Sequence, residues 1–200
     1  MTLPAPAAAT VIALIGNPNT GKSTLFNALT GLRQKTANYP GVTVEQHTGE
    51  IILAGRTVTL VDLPGAYSLA AQSPDEMVAI DVLLGHVTDL PRPRAVLAVV
   101  DATNLRRNLF LVSQLLELER PVVVALNMVD LARSEGLSID VAALQQELGC
   151  RVVPIVATRK EGLSDLRLAL ADAVATHKPC STCPSFPACV CAELDGLTQS

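Results

Sequence analysis

Aromatic residues are scarce in this chain: three Phe, two Tyr and no Trp make up 2% of its 200 residues. A core built without them must come from Val, Leu, Ile and Ala, and a hydrophobic fraction of 49% supplies enough of these to exclude a disordered chain. Such a core suits a parallel sheet covered by helices. A basic excess is also missing. The net charge of −4 and a pI near 5.3 argue against nucleic acid as a main partner. No apolar run approaches the ~20 residues that a membrane helix needs. The start, MTLPAPAAAT, carries no basic residue, so no signal peptide is expected and the chain by itself is expected to be soluble and cytoplasmic. Cysteines are few and uneven. Cys150 stands alone, whereas Cys180, Cys183, Cys189 and Cys191 crowd the end, which is not how a disulfide framework is spaced.

What is present starts with VIALIGNPNTGKSTLFNALT, residues 11–30. Five apolar residues run into Gly16, which opens G-x-x-x-x-G-K-[ST] as Gly16, Asn17, Pro18, Asn19, Thr20, Gly21, Lys22 and Ser23, with Thr24 following. Leu25, Phe26 and Leu29 then give a helix its apolar face. A buried strand before the loop and a helix after it form the setting of a phosphate-binding loop rather than of a mere glycine turn. Its backbone N–H groups and the helix dipole hold phosphate oxygens. Lys22 reaches the outer phosphates, and the Ser23 hydroxyl suits one place on an octahedral Mg²⁺.

Further along, residues 32–48 read as a long connection without period. Residues 49–53 and 57–63 read as an antiparallel hairpin, and helices are expected at 74–84, 105–119, 140–148 and 164–176. Apolar strands at 94–100, 121–126 and 152–156 complete a doubly wound, mostly parallel α/β sheet of six strands, with helices on both faces. The domain is expected over 11–176, after a loose 1–10 and before a Cys/Pro-rich tail, 177–200, which reads as unstructured or as the start of a missing segment.

The polar signals fall just past strand ends, the edge where open α/β sheets bind ligands. Asp62 stands there before Leu63-Pro64-Gly65 and suits Mg²⁺ through a water, while Gly65 offers a backbone N–H to a γ-phosphate. Asn127-Met128-Val129-Asp130 follows a buried strand. A carboxylate accepting two hydrogen bonds matches guanine, and adenine would leave it unpaired. Ala157 and Thr158, after the last strand, can direct a backbone N–H to the guanine oxygen. Thr43, in the long connection, suits a Mg²⁺ contact made only when a γ-phosphate is present; a Thr entering a strand is the plainer alternative. The three histidines are scattered and read as surface or packing residues, and Arg106-Arg107 as the start of a solvated helix.

GNPNTGKSTLFNALTG, NYPGVTVE, LVDLPGAYSL, VVDATNLRRNL and VALNMVD together resemble the G domain of the FeoB ferrous iron transporters over about residues 11–176. The resemblance implies a Ras-like fold and GTP binding and hydrolysis with Mg²⁺ at Ser23, Thr43 and Asp62. It implies phosphate contacts from Lys22, base reading by Asn127 and Asp130, and switch segments at Thr43 and at Asp62 with Gly65. It also implies a K⁺ ion on Asn19, completed by backbone carbonyls near Ala37 and Tyr39. In that family the domain lies at the cytoplasmic face of the inner membrane, joined to an iron-transport module that this sequence does not contain. Self-association is left open.

The motif after the last strand departs from the family of GTPases in reading Ala157-Thr158-Arg159-Lys160. The residue after Gly65 is Ala66, which cannot orient an attacking water, and no Arg in cis is assigned to the phosphates. Unaided hydrolysis is therefore expected to be slow, about 10⁻³ s⁻¹ or less. Two other readings stand against the leading one. A ribosome- or RNA-associated Era-type GTPase shares the phosphate loop and N-x-x-D, but would bring a basic appendage. Zn²⁺ or iron on the four terminal cysteines has enough thiolates but an atypical C-x-C spacing, and is disfavoured.

Overall fold

The central strands are buried on both faces, and their side chains alternate between two cores. In β1 (Val11–Gly16), Val11, Ala13 and Ile15 enter one core, while Ile12 and Leu14 enter the other. β5 (Ala95–Asp101) and β6 (Val122–Asn127) alternate in the same way, which is why they read as unbroken apolar runs. A computed structural model describes residues 10–176, apart from 32, 33, 40–42, 72, 89 and 119. The cysteines at 180, 183, 189 and 191, the expected tail and the first nine residues lie outside the described residues.

The sheet has seven strands in the order β2-β3-β4-β1-β5-β6-β7. β4 (Arg56–Asp62), β1, β5, β6 and β7 (Arg151–Pro154) run parallel. β3 (Glu45–Leu53) is antiparallel to β4 across the Ala54-Gly55 turn, and β2 (Gln34–Asn38) is antiparallel to β3. One strand is thus added to the expected six. QKTAN is exposed at all five residues and has no apolar alternation, so the strand is defined by its pairing with β3 and not by burial. That pairing also extends β3 back to Glu45.

Helix α1 (Lys22–Thr30) ends at Gly31, whose N–H bonds Asn27 O. Helix α2 (Pro74–Leu84) has Ser73 as its cap, accepting from the Glu76 N–H, and buries Val78, Ala79, Val82 and Leu83, leaving Met77 half exposed. α3 (Leu105–Leu116), α4 (Val129–Ser134), α5 (Val141–Leu148) and α6 (Leu163–Thr176) follow. Asp140 caps α5 as expected, accepting from the Ala143 N–H at 3.0 Å. α4 was not expected, because six residues are too few for a helical period to show. One core lies under α2 and α3 and the other under α1 and α6. The chain crosses from one side of β1 to the other between β4 and β5, so the loops after β1, β4, β5 and β6 gather at a single edge. Among the described residues no helix is long and apolar enough to cross a membrane.

Candidate nucleotide site

At that edge the loop after β1 folds on itself. Thr20 Oγ1 donates to Asn17 O at 2.9 Å, and Asn19 and Gly21 take left-handed φ values of 67° and 82°. Glycine is required twice. A Cβ at Gly16 would meet Val99 O at 2.6 Å, and one at Gly21 would collide with Asn127 Nδ2. Asn accepts the left-handed region more readily than most residues. Asn19 and Pro18 are exposed, and among the described residues no hydrogen bond engages the Asn19 side chain. Helix α1 begins at Lys22 with no acidic residue in its first turn and no side-chain cap, so its first N–H groups face outward for an anion.

The Lys22 ammonium pairs with the Asp62 carboxylate at the end of β4, both side chains being nearly buried. The expected phosphate lysine and Mg²⁺ carboxylate are therefore neighbours. Tyr39 is 2% exposed and its hydroxyl has no partner among the described residues. Burial, and secondarily the negative charge of Asp62, hold that hydroxyl well above its usual pKa. The Tyr39 N–H donates to Val44 O at 3.0 Å. Ser23 and Thr43 are exposed. Ala37 lies in β2 opposite Gln46, and no hydrogen bond among the described residues joins it or Tyr39 to Asn19. Gly65 lies against the phosphate loop, close to Pro18, and the Ala66 N–H after it donates to Gly16 O at 3.2 Å.

The far end of the edge is joined by one side chain. Asn127 is 3% exposed. Its Nδ2 donates to Thr20 O at 2.9 Å, and its Oδ1 accepts from the Ala157 N–H at 3.0 Å. The Asn127 carboxamide thus bridges two loops with its Oδ1 and one Nδ2 hydrogen, and its second Nδ2 hydrogen is not used by these bonds. The Ala157 N–H is likewise occupied, leaving the exposed Thr158 beside it. Met128 takes a left-handed φ of 62° and turns the chain into α4, which puts Asp130 in that helix's first turn. Asp130 Oδ2 lies 3.1 Å from an Arg159 guanidinium nitrogen, and Arg159 Nε also reaches Glu161 at 3.1 Å. The sequence reading missed Arg159. Nothing in the spacing of Ala157-Thr158-Arg159-Lys160 shows an arginine paired with Asp130.

A second omission is Arg107. Its guanidinium lies over the Tyr67 ring, 4.2 Å from the centroid. Its main-chain carbonyl accepts from Asn17 Nδ2 at 3.5 Å. A helix-start arginine pair in a sequence gives no sign of either contact.

Among the described residues no group of three or more His, Cys, Asp or Glu could hold a metal ion. The hard oxygens of Ser23, Thr43 and Asp62 are a different kind of donor set, one that fits an ion shared with phosphate and water.

The family model described as "Ferrous iron transport protein B" matches residues 10–170. The Fe(2+) transporter FeoB of Salmonella typhimurium is 52% identical over 163 residues, 80% of this chain and 20% of that protein. That of Escherichia coli K12 is 50% identical over 163 residues, with the same shares. The chain thus spans about a fifth of the length of these relatives. Among solved structures, the cytosolic domain of L. pneumophila FeoB is similar at TM-score 0.78 and 44% identity, covering 94% of this chain and 78% of that one. A mutant NFeoB of S. thermophilus bound to GDP gives 0.75 and 44%, over 82% and 62%. The cytosolic domain of T. maritima FeoB in its GMPPNP form gives 0.79 and 40%, over 84% and 65%.

Proposed function

The chain belongs to the ferrous iron transport protein B family, and we propose that it works as a GTP-binding, GTP-hydrolysing switch that regulates ferrous iron uptake by a membrane module. The observation that carries this reading is the Asn127 side chain, which ties Thr20 of the phosphate loop to Ala157 of the last site loop. A tie between those loops fixes the distance between a phosphate cradle and a base pocket, and Asp130 stands one short turn beyond it. Guanine offers Asp130 an N1–H and a 2-amino group; adenine offers neither there, and covering the carboxylate with a base that does not pair with it rejects adenine.

At the phosphate end, residues 16–24 hold the phosphates, with Lys22 on the outer ones. Ser23, Asp62 and Thr43 fit a Mg²⁺ ion, which when bound neutralises charge on the phosphate oxygens. Opening of the Lys22–Asp62 pair frees the ammonium for phosphate and the carboxylate for the metal's water. In hydrolysis, water adds to the γ-phosphorus and the bond to the β,γ-bridging oxygen breaks, giving GDP and inorganic phosphate. Gly65 offers its N–H to the γ-phosphate, and Ala66, being a buried methyl, orients no water. Asn19 supplies a neutral oxygen without an internal partner, a fit for a monovalent cation, together with carbonyls of Ala37 and Tyr39. The switch would act at the cytoplasmic face of the inner membrane in a longer protein. The family model and the relatives speak for this reading and not for the RNA-associated one.

The test is the rate of GTP hydrolysis in KCl against NaCl at matched ionic strength. K⁺ is expected to raise it well above Na⁺, and Asn19→Ala is expected to remove the difference with GDP affinity little changed. Equal rates for the unmutated chain would contradict the cation assignment, and failure to prefer GDP over ADP would contradict the switch itself.

A further inference from the structure

The segment after β4 is held at four points. The Leu63 N–H donates to Leu14 O at 2.9 Å and the Ala66 N–H to Gly16 O at 3.2 Å. Beyond Gly65 the contacts pass to α3. The Tyr67 ring packs under the Arg107 guanidinium at 4.2 Å, and the Leu69 N–H donates to Gln114 Oε1 at 2.6 Å. Arg107 and Gln114 are two turns apart on one helix face. The carbonyl of the same Arg107 accepts from Asn17 in the phosphate loop. Asn17 is 3% exposed, and its Oδ1 has no partner among the described residues. One residue of α3 therefore touches both the phosphate loop and the chain two positions past Gly65.

We infer that Arg107 is a positioning residue for the hydrolytic step, holding Gly65 and Ala66 against the phosphate loop by stacking on Tyr67. The inference rests on the GTPase reading above. A guanidinium stays charged at every working pH and matches an aromatic face with its own plane. Tyr67 and Arg107 are both exposed, so the stack adds little to the stability of the fold. It is strong enough to bias a loop between two positions, because an exposed cation–π contact shifts such an equilibrium about two- to fivefold. Contacts of that size hold a segment while leaving it free to move when the phosphate changes. Nothing in the site chemistry requires Arg107 to meet the nucleotide itself.

The absence of Trp makes the test direct. Tyr67→Trp places a single indole in the stack, where a cation–π contact is strongest. In that background, adding Arg107→Ala is expected to raise acrylamide quenching of the indole and to slow single-turnover GTP hydrolysis about two- to fivefold, with GDP affinity unchanged. Arg107→Lys keeps a cation and is expected to recover part of both signals. Unchanged quenching in Arg107→Ala overturns the inference, as does raised quenching with an unchanged rate, or no recovery in Arg107→Lys. A fall in GDP affinity parallel to the rate overturns it too, since the arginine would then only support the fold. If the unmutated chain binds no GDP, the functional reading fails first and the hydrolytic role with it, whatever the quenching shows. If only Tyr67→Trp loses GDP, the single-turnover rate of Arg107→Ala in the unmutated background decides, and an unchanged rate there overturns the inference.

Discussion

The strands that carry the site differ from centre to edge. β1 and β6 are buried at every residue, whereas β2 is exposed at every residue and is joined to β3 by its ladder and by polar contacts such as Thr36 Oγ1 with His47 Nδ1 at 3.3 Å. The loops after β1 and β6 are set by packing on both sheet faces, where any shift opens a cavity. They are joined by Asn127 as well. Thr43, by contrast, follows the edge strand and is exposed. A buried frame suits the parts of a nucleotide that hydrolysis leaves alone, the base and the inner phosphates. A polar edge suits the part that changes, because its contacts cost little to break and remake.

Breaking the frame should have the larger effect. Asp130→Asn exchanges an acceptor pair for a mixed amide and is expected to weaken GDP binding by about 10³-fold while improving binding of xanthosine diphosphate. Titration with both nucleotides checks it, and an unchanged GDP affinity would mean that the base pocket is elsewhere. Thr43→Ala should do less and act on one nucleotide only. Losing one oxygen from the shell of a bound ion is expected to slow hydrolysis roughly tenfold with GDP affinity retained. Equal losses for GDP and a GTP analogue would place Thr43 in the frame.

What could be read from the sequence follows the same division. The phosphate loop, Asp62 and the Asn127–Asp130 motif stand at the ends of buried strands, and a buried strand announces itself as an apolar run. QKTAN has no such run, so as a sequence β2 does not stand out from the long connection around it, and α4 is too short to show a period. Contacts between distant segments were also illegible. That the side chain of Asn127 is held by Thr20 and Ala157, that Arg159 faces Asp130 and that Arg107 covers Tyr67 depend on how the strands are ordered. Residue types alone marked Asn127 as part of a base pocket but not its task of holding two loops together.

The smallest effect is expected at Tyr39, where frame and edge meet. Its hydroxyl is buried without a partner among the described residues, so Tyr39→Phe removes an unsatisfied group and should leave stability within about 1 kcal/mol of the parent or raise it slightly. The pH dependence has a definite sign. The folded state keeps the phenol protonated above its ordinary value, so above about pH 10 the unfolded chain has lost a proton that the folded chain retains. Stability then falls as pH rises. Urea melts of the two proteins in EDTA between pH 8 and 11 should show a shallower alkaline loss for Tyr39→Phe. Parallel curves would mean that the hydroxyl is not held in that surrounding.

The division itself is tested most directly by amide hydrogen exchange on the unmutated chain with GDP and then with a non-hydrolysable GTP analogue. The account predicts that the added γ-phosphate slows exchange in Gln34–Asn38, in the first half of β3 and around Gly65 to Leu69. It predicts no change in β1, β5 and β6. Protection that changes in the buried strands, or an edge that exchanges equally in both states, would contradict it.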